Sequence, residues 1–212
     1  MIHEILPVGL LQCNCSIIGD ENSREALVVD PGDEIEQILA ILNRHQLLVR
    51  YIIITHAHID HIGGARKLKD RTGAPVYLNE QDLELYSQMD LQALWLGVPP
   101  PETTAVDALI RDGDEIRWGE LQATILHTPG HTQGSISLLI PQCTPAKLLA
   151  GDTLFYDSIG RTDLPGGNDR QILKSLKEKL LILDDSTIVV PGHGPVTSIG
   201  REREWNPFLQ NL

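Results

Sequence analysis

The sequence predicts an α/β protein in which β-sheets stack on one another and helices cover the outside. Short segments with the apolar or alternating pattern of strands recur along all 212 residues. Segments with the 3.6-residue period of helices lie between them, so strand and helix signals from both halves of the chain interleave. Because no Ser- or Gly-rich linker interrupts this order, we expect one domain over residues 1–212.

The composition excludes several classes of protein. With 42% hydrophobic and 22% charged residues, the chain resembles a globular protein and not a disordered one. It carries 17 Lys and Arg against 29 Asp and Glu, a formal charge of −12 that argues against a nucleic-acid partner. No apolar run approaches the roughly 20 residues of a membrane span. The first seven residues lack the basic head of a signal peptide, and three cysteines are too few for a disulfide scaffold. We therefore expect a cytoplasmic protein with no membrane partner.

The first half of the chain predicts strands followed by alternating helices and strands. Strand patterns cover 2–10, 14–19, 25–30, 51–54 and 76–78. Asp33 and Glu36 form a capping-box pattern, so we expect a helix to begin at Asp33. The apolar residues of that helix then share one face: Ile35, Ile38, Leu39 and Leu42. A second helix is expected over 62–72, ended by Gly73.

The second half predicts mainly short strands and two closing helices. Residues 87–106 read as an irregular segment that includes three consecutive prolines. Strand patterns follow at 107–110, 115–118, 121–127, 134–140, 147–150 and 187–190. Asn168 can cap a helix whose buried side carries Ile172, Leu173, Leu176 and Leu180. A last helix is expected over 201–205, ending before Pro207.

The run His56-Ala57-His58-Ile59-Asp60-His61 carries the strongest chemical signal. It places four metal-binding side chains within six residues, directly after the apolar strand 51–54, and α/β sheets commonly bind ligands at that end of a strand. Three further candidates also follow strand patterns, and each lies beside a glycine: His131, Asp152 and His193. A rigid strand, a glycine turn and a projecting ligand recur at these three places, and with the run 56–61 candidate ligands follow four strand ends. This recurrence predicts a metal site.

These motifs resemble those of the metallo-beta-lactamase superfamily, in the same order along nearly the whole chain. The resemblance implies a four-layer αββα sandwich that binds two divalent metal ions at one sheet edge. We expect these ions to be zinc, and the same ligands would also accept iron or manganese. It implies a first metal site of His56, His58 and His131, a second of Asp60, His61 and His193, and Asp152 as the bridging ligand. Two such cations strongly favour deprotonation of a bridging water, and the resulting metal-bound hydroxide is the expected nucleophile. Asp60 can orient it as a catalytic residue.

Residue 152 and the segments after it resemble a short bacterial subgroup described as glyoxalase II-like, or hydroxyacylglutathione hydrolase-like. The resemblance rests on Asp152, on Gly151-Asp152-Thr153-Leu154-Phe155, on 158–167 and on the tail 194–200 with 206–209. It implies hydrolysis of a small-molecule thioester, S-lactoylglutathione or a related compound, to an acid and a thiol. Full glyoxalase II enzymes add a C-terminal helical domain that holds glutathione; with 19 residues after His193, we expect this chain to lack that domain.

Two other functions stay open on the sequence. Persulfide dioxygenases share this fold and a Gly-Arg-Thr-Asp stretch like 160–163, and they hold a single iron at the positions matching His56, His131 and Asp152. The third possibility is a binding protein with a vestigial site, which the complete ligand set disfavours. The sequence leaves the oligomeric state open.

Several residues have weaker claims to a role. Arg161 and Tyr156 are the candidates for substrate binding, and Arg161 can equally form an ion pair with a nearby aspartate. The apolar stretch around Trp95 predicts either a flap over the metal site or a packed loop. Asp30 can support a metal-bound histidine or stabilise a turn. Cys13 and Cys15 are expected to be packing residues.

Overall fold

Two six-stranded sheets form the centre of the computed structural model, which describes residues 1–210 and 212. The first sheet has the strands in chain order: β1 Ile2–Val8, β2 Cys13–Gly19, β3 Glu25–Val29, β4 Leu48–Ile53, β5 Val76–Asn79 and β6 Ala108–Ile110. Strands β1 to β3 are antiparallel, whereas β3 to β6 are parallel. The carboxyl ends of β3, β4 and β5 therefore meet at one edge of this sheet.

The second sheet presents its strand ends at the same edge of the molecule. Its strands are β7 Glu115–Trp118, β8 Leu121–His127, β9 Ile136–Ile140, β10 Lys147–Gly151, β13 Ile188–Pro191 and β14 Thr197–Ser198. Because β9 is antiparallel to both β8 and β10, and β13 is parallel to β10, the strands β8, β10 and β13 all run in one direction. A small hairpin, β11 Leu154–Phe155 and β12 Ser158–Ile159, follows β10.

Helices cover the outer face of each sheet. They are α1 Ile35–Arg44, α2 Ile59–Ile62, α3 Ala65–Thr72, α4 Leu83–Tyr86, α5 Met89–Leu96, α6 Asp169–Ser175 and α7 Ile199–Trp205. A 3₁₀ turn, Glu80–Asp82, precedes α4, and a π-helical segment, Leu176–Leu180, extends α6. No helix among residues 1–210 and 212 is long and apolar enough to cross a bilayer.

The two sheets and the helices on their outer faces form four layers, and a separate apolar core lies between each pair of neighbouring layers. Alternate residues of β3 point to opposite faces, so Val28 packs toward the helices and Leu27 toward the second sheet. In β10, Leu149 faces the first sheet and Leu148 faces α6 and α7. Strands with apolar residues on both faces are what a layer buried on both sides requires. The predicted αββα sandwich is confirmed.

The helix boundaries differ from the sequence predictions at two places. Glu34, not Asp33, precedes the first turn of α1, and it adopts a left-handed conformation with φ 49° and no side-chain cap. Its carboxylate instead accepts a hydrogen bond from the Gly9 amide. The predicted helix 62–72 corresponds to α3, which begins only at Ala65; Ile62 instead ends the separate short helix α2, and Gly63 and Gly64 lie between the two helices. A Cβ at Gly64 would lie 2.3 Å from the Pro31 carbonyl oxygen, so the chain turns where only glycine fits.

The segment 87–106 was predicted to be irregular, and this was wrong because it contains α5. Apolar residues lie around the whole of this helix, so they produce no one-sided periodic signal. Met89 and Ala93 are buried, whereas Leu94 and Trp95 are 74% and 55% exposed. The residues after α5, with the three prolines, have no regular structure.

His3 on β1 makes the stability of the fold depend on pH. Burial and the nearby charge of Lys147, whose Nζ lies 3.0 Å from the His3 Nδ1, lower the pKa of His3 from 6.5 to about 4. The unfolded chain therefore binds a proton more readily, and stability falls as the pH drops from 6.5 toward 4. We expect wild type to lose more stability than His3→Gln between pH 7 and about 5, measured by urea unfolding. Equal losses in the two proteins would contradict this.

Candidate metal centre

The first ligand-bearing segment begins where β4 ends. Thr55 and His56 follow the strand, and the chain then enters α2, which carries Asp60 and His61. Gly32 allows this short helix to lie against the loop after β3, since a Cβ there would fall 1.6 Å from the Asp60 carbonyl oxygen. Four candidate ligands thus leave one strand end within six residues, as the sequence predicted.

Three imidazoles come together as a first group. The His58 Nδ1 lies 3.1 Å from the Nε2 of His56 and 2.9 Å from the Nε2 of His131. His131 reaches this point from the turn after β8, on the opposite sheet. Three imidazole nitrogens so close to one another can hold one metal ion.

A second group lies beside the first. The His193 Nε2 is 3.2 Å from the His61 Nε2 and 3.1 Å from the Asp60 Oδ2. His193 follows β13, so this group also draws on both sheets. It offers two imidazoles and a carboxylate, a donor set that suits zinc, iron or manganese.

Asp152, at the end of β10, lies between the two groups. Its Oδ1 is 3.4 Å from the His61 Nε2, and its Oδ2 is 3.6 Å from the His131 Nε2 and 3.7 Å from the His193 Nε2. The Oδ1 atom is buried and has no hydrogen-bond partner among residues 1–210 and 212. An unpartnered buried carboxylate oxygen is costly unless a cation binds it, so the residues fit a pair of metal ions with Asp152 as the shared ligand.

The other ring nitrogens of three ligand histidines are held by partners outside the groups. The His61 Nδ1 lies 2.9 Å from the Asp30 Oδ2, the His131 Nδ1 2.7 Å from the Arg161 carbonyl oxygen, and the His193 Nδ1 3.0 Å from the Leu11 carbonyl oxygen. Such contacts fix the tautomer and turn each Nε2 toward the centre. Asp30 therefore supports a candidate ligand, and it also accepts hydrogen bonds from the Thr55 amide and hydroxyl.

The electrostatics of the site favour a cation. Burial and the nearby imidazoles lower the pKa of His58 to about 3, so its ring is neutral and can bind a metal. Burial would raise the pKa of Asp60, but the charge of His61 and a hydrogen bond with His193 lower it. Burial would lower the pKa of His61, but the carboxylates of Asp152, Asp60 and Asp30 raise it. Burial raises the pKa of the Cys13 thiol to about 12, so the carboxylates supply the negative charge.

Comparison with known proteins agrees with this geometry. The model of the metallo-beta-lactamase superfamily matches residues 8–193. The chain belongs to this superfamily. It is 36% identical to the hydroxyacylglutathione hydrolase GloC of Haemophilus influenzae, over 98% of both chains. It is also 36% identical to the probable metallo-hydrolase YqgX of Bacillus subtilis, over 98% of this chain and 97% of that protein.

Solved structures share the fold over nearly the whole chain. The B3 metallo-beta-lactamase BLEG-1 has a TM-score of 0.91 and 36% identity, and the match covers 99% of this chain and 100% of that one. TTHA1623 in a di-iron-bound form has a TM-score of 0.86 and 38% identity, covering 97% and 100%. ETHE1 from Myxococcus xanthus has a TM-score of 0.81 and 32% identity, covering 98% and 84%.

Asp82 is a supporting residue that sequence reasoning missed. Its buried carboxylate accepts hydrogen bonds from the Ala57 amide at 2.9 Å, the Gly134 amide at 2.6 Å and the Thr132 hydroxyl at 2.8 Å. It therefore joins the loop of His56 and His58 to the turn that carries His131. Nothing in the local sequence marks this residue, because its partners lie 25 to 52 residues away.

A cavity of about 570 Å³ opens over the metal centre of this superfamily member. Most of its wall is apolar: Leu11, Ile59, Leu85, Trp95, Leu96, Phe155, Ile159, Leu164 and Pro165. Trp95 and Leu96 belong to α5, so the segment predicted as a flap or a packed loop supplies a helical wall. The polar lining comes mainly from the two ligand groups.

The two predicted substrate-binding residues lie in different places. Arg161 lines the cavity, and its guanidinium forms a bidentate ion pair with Asp163 at 2.7 and 2.8 Å. Tyr156 is not among the cavity residues; its ring lies under the Arg201 guanidinium, 3.5 Å from the Cζ. The structure thus brings Arg161, but not Tyr156, to the site. Cys13 and Cys15 are both buried in the core, although the Cys13 Sγ lies 3.4 Å from the His61 Nδ1.

Proposed function

We propose that this protein is a metal-dependent thioesterase of the glyoxalase II type. The observation that carries the proposal is the pair of complete ligand groups that share Asp152 beneath an apolar cavity. The similarity to GloC, over 98% of both chains, supports the same reaction class. The products are an acid and a thiol.

The seven candidate ligands form two groups around one shared residue. His56, His58 and His131 would hold one divalent cation and Asp60, His61 and His193 the other, with Asp152 shared. Zinc is our first choice, and iron and manganese suit the same donors. When bound, such cations polarise a carbonyl group and lower the pKa of water enough to supply hydroxide at neutral pH. Asp60, kept ionised by its neighbours, can accept a hydrogen bond from the attacking water and orient it toward the carbonyl.

The cavity favours a thioester over an amide. An amide nitrogen must be protonated to leave, whereas a thiol has a pKa of about 8.5 and leaves as a thiolate. The described residues that line the cavity include no lysine, tyrosine or cysteine, and each lining histidine and aspartate already belongs to a ligand group. Arg161 keeps its proton at all working pH values. Among the described lining residues, the site therefore offers no proton donor for nitrogen apart from its candidate metal ligands.

Arg161 is the residue we propose for recognition of a substrate carboxylate. Its ion pair with Asp163 is exposed, and exposed ion pairs contribute little to stability. A carboxylate of the substrate can therefore replace Asp163 on the guanidinium at little cost. S-lactoylglutathione carries such a carboxylate. Tyr156 is a weaker proposal for substrate binding because its ring stacks on Arg201.

A mononuclear-iron persulfide dioxygenase is the second candidate. The His131 Nε2 lies 3.6 Å from the Asp152 Oδ2, and His56 shares a ligand group with each of them, so the three would present two imidazoles and one carboxylate to a single iron. Such a triad leaves coordination positions open for oxygen. TTHA1623, which is 38% identical to this chain, has a di-iron-bound form, so a similar protein binds iron.

One preparation tests both functions. Metal content is measured, and the same sample is assayed for hydrolysis of S-lactoylglutathione and of a coenzyme A thioester, for oxygen consumption with glutathione persulfide, and for β-lactam hydrolysis. We expect two metal ions per chain and thioester hydrolysis that a chelator abolishes. Oxygen consumption dependent on one iron per chain would replace the thioesterase with the dioxygenase. Absence of thioester hydrolysis at every metal loading would also overturn the proposal.

A further inference from the structure

Gln92 is a buried amide in the middle of α5, only 5% exposed. Its Nε2 donates hydrogen bonds to the Ala57 and Leu85 carbonyl oxygens, both at 3.1 Å. Its Oε1 accepts a hydrogen bond from the Ile59 amide at 2.9 Å. The side chain therefore uses both donors and its acceptor to hold together α4, α5 and the loop of the first ligand group.

The hydrogen bond from the Ile59 amide to Gln92 gives the first amide of α2 a partner outside the helix. The first amides of a helix have no partner within the helix, and a side chain at the N-cap normally accepts one of them. His58 occupies the N-cap of α2 and makes no such bond, because its ring is turned toward His56 and His131. Gln92 thus accepts the first amide of α2 from another helix, while the imidazole of His58 faces the first ligand group.

Together with Asp82, Gln92 fixes the backbone on both sides of His58. The Ala57 amide donates to Asp82, the Ala57 carbonyl oxygen accepts from Gln92, and the Ile59 amide donates to Gln92. No torsion between Ala57 and Ile59 can change much while these bonds persist. The backbone from which the His58 side chain projects into the first group is therefore held by a residue 34 positions away in sequence.

We propose that Gln92 is a positioning residue that holds His58 in the first ligand group. The same residue lines the cavity, with Trp95 and Leu96 one helical turn further along α5. Gln92 therefore connects the apolar wall of the cavity to the metal ligand. This inference rests on the two-metal centre proposed above but not on the identity of the substrate.

The test is metal release from the cobalt(II)-loaded protein, followed by absorbance as a chelator is added. Gln92→Met keeps the length of the side chain and removes all three hydrogen bonds. Loss of a residue that orients a metal ligand typically lowers metal affinity 10–100-fold. We therefore expect one metal equivalent to leave the variant at a chelator concentration at least about tenfold lower than in wild type. The other equivalent is expected to leave as in wild type. His58→Ala identifies which equivalent belongs to the first group.

Two further variants keep the result interpretable. Gln37→Met alters an exposed glutamine on α1 and is expected to release both equivalents as wild type does. Gln92→Glu keeps the acceptor for Ile59 but places a carboxylate oxygen against the Ala57 carbonyl, so we expect an intermediate shift in the same equivalent. Unchanged release in both Gln92 variants would overturn the proposal. So would earlier loss of both equivalents together, which would indicate general destabilisation. Either result would leave the thioesterase assays unaffected.

Discussion

Asp152→Asn is expected to remove most of the activity and part of the bound metal. Asp152 is the residue placed between the two ligand groups, with oxygens 3.4 Å from His61 and 3.6 Å from His131. An amide has the same shape but no charge, and it offers only one oxygen to two cations. Loss of a merely supporting residue costs 10–100-fold, so loss of a shared ligand should lower kcat/KM by at least about 100-fold.

The measurement combines kcat/KM for the thioester with metal content by mass spectrometry. Asp70→Asn, an exposed aspartate paired with Arg66 on α3, is the matched control and should behave as wild type. An Asp152→Asn protein that kept two metal ions and more than half of the activity would show that Asp152 does not bridge the centre. It would also remove the reason for pairing the two groups.

The strands and the seven candidate ligands were predictable because both leave local signals. Strands buried on two faces need continuous apolar runs, and 51–54 is such a run. Parallel strands bring their carboxyl ends to one edge, so residues that follow strands in sequence meet in space. His131 and His193 lie 62 residues apart and still reach the same edge. Topology alone accounts for that convergence.

The supporting residues were not predictable in the same way. Asp82 and Gln92 act through hydrogen bonds to backbone groups of a distant loop, and backbone groups carry no sequence signature. The only trace of Gln92 is a polar residue within the apolar stretch 89–96. The break between α2 and α3 was missed for a related reason. The need for Gly64 comes from the Pro31 carbonyl oxygen, which lies on another segment.

Glu202 supports the opposite wall of the cavity from a fully buried position in α7. Every partner of its carboxylate is a donor: the Thr197 hydroxyl, the Arg201 guanidinium, the Asp157 amide and the Asn206 side-chain amide. Asn206 in turn donates to the Ser158 carbonyl oxygen at 3.0 Å. The network therefore joins α7 to the hairpin β11–β12, which carries Phe155 and Ile159 of the cavity wall.

Glu202→Ala is expected to lower the free energy of unfolding by about 3 kcal/mol, because it leaves a buried cavity and several donors without an acceptor. Glu202→Gln keeps the shape, but its NH₂ group must face two of those donors, so we expect a smaller loss of about 1–2 kcal/mol. Urea unfolding measures both values. Glu204→Ala changes an exposed glutamate on the same helix and should have little effect.

Comparison of Glu202→Gln with Glu202→Ala separates the contribution of the carboxylate charge from that of side-chain packing. Glu202→Ala alone removes both. If the carboxylate is needed only to fill space, Glu202→Gln will match wild type, and the donor network will be wrong as the explanation. If the network positions the hairpin, KM should rise in Glu202→Gln even at temperatures where the protein is fully folded, because Phe155 and Ile159 line the cavity. Metal content should stay unchanged, since none of the seven candidate ligands contacts Glu202 through a hydrogen bond.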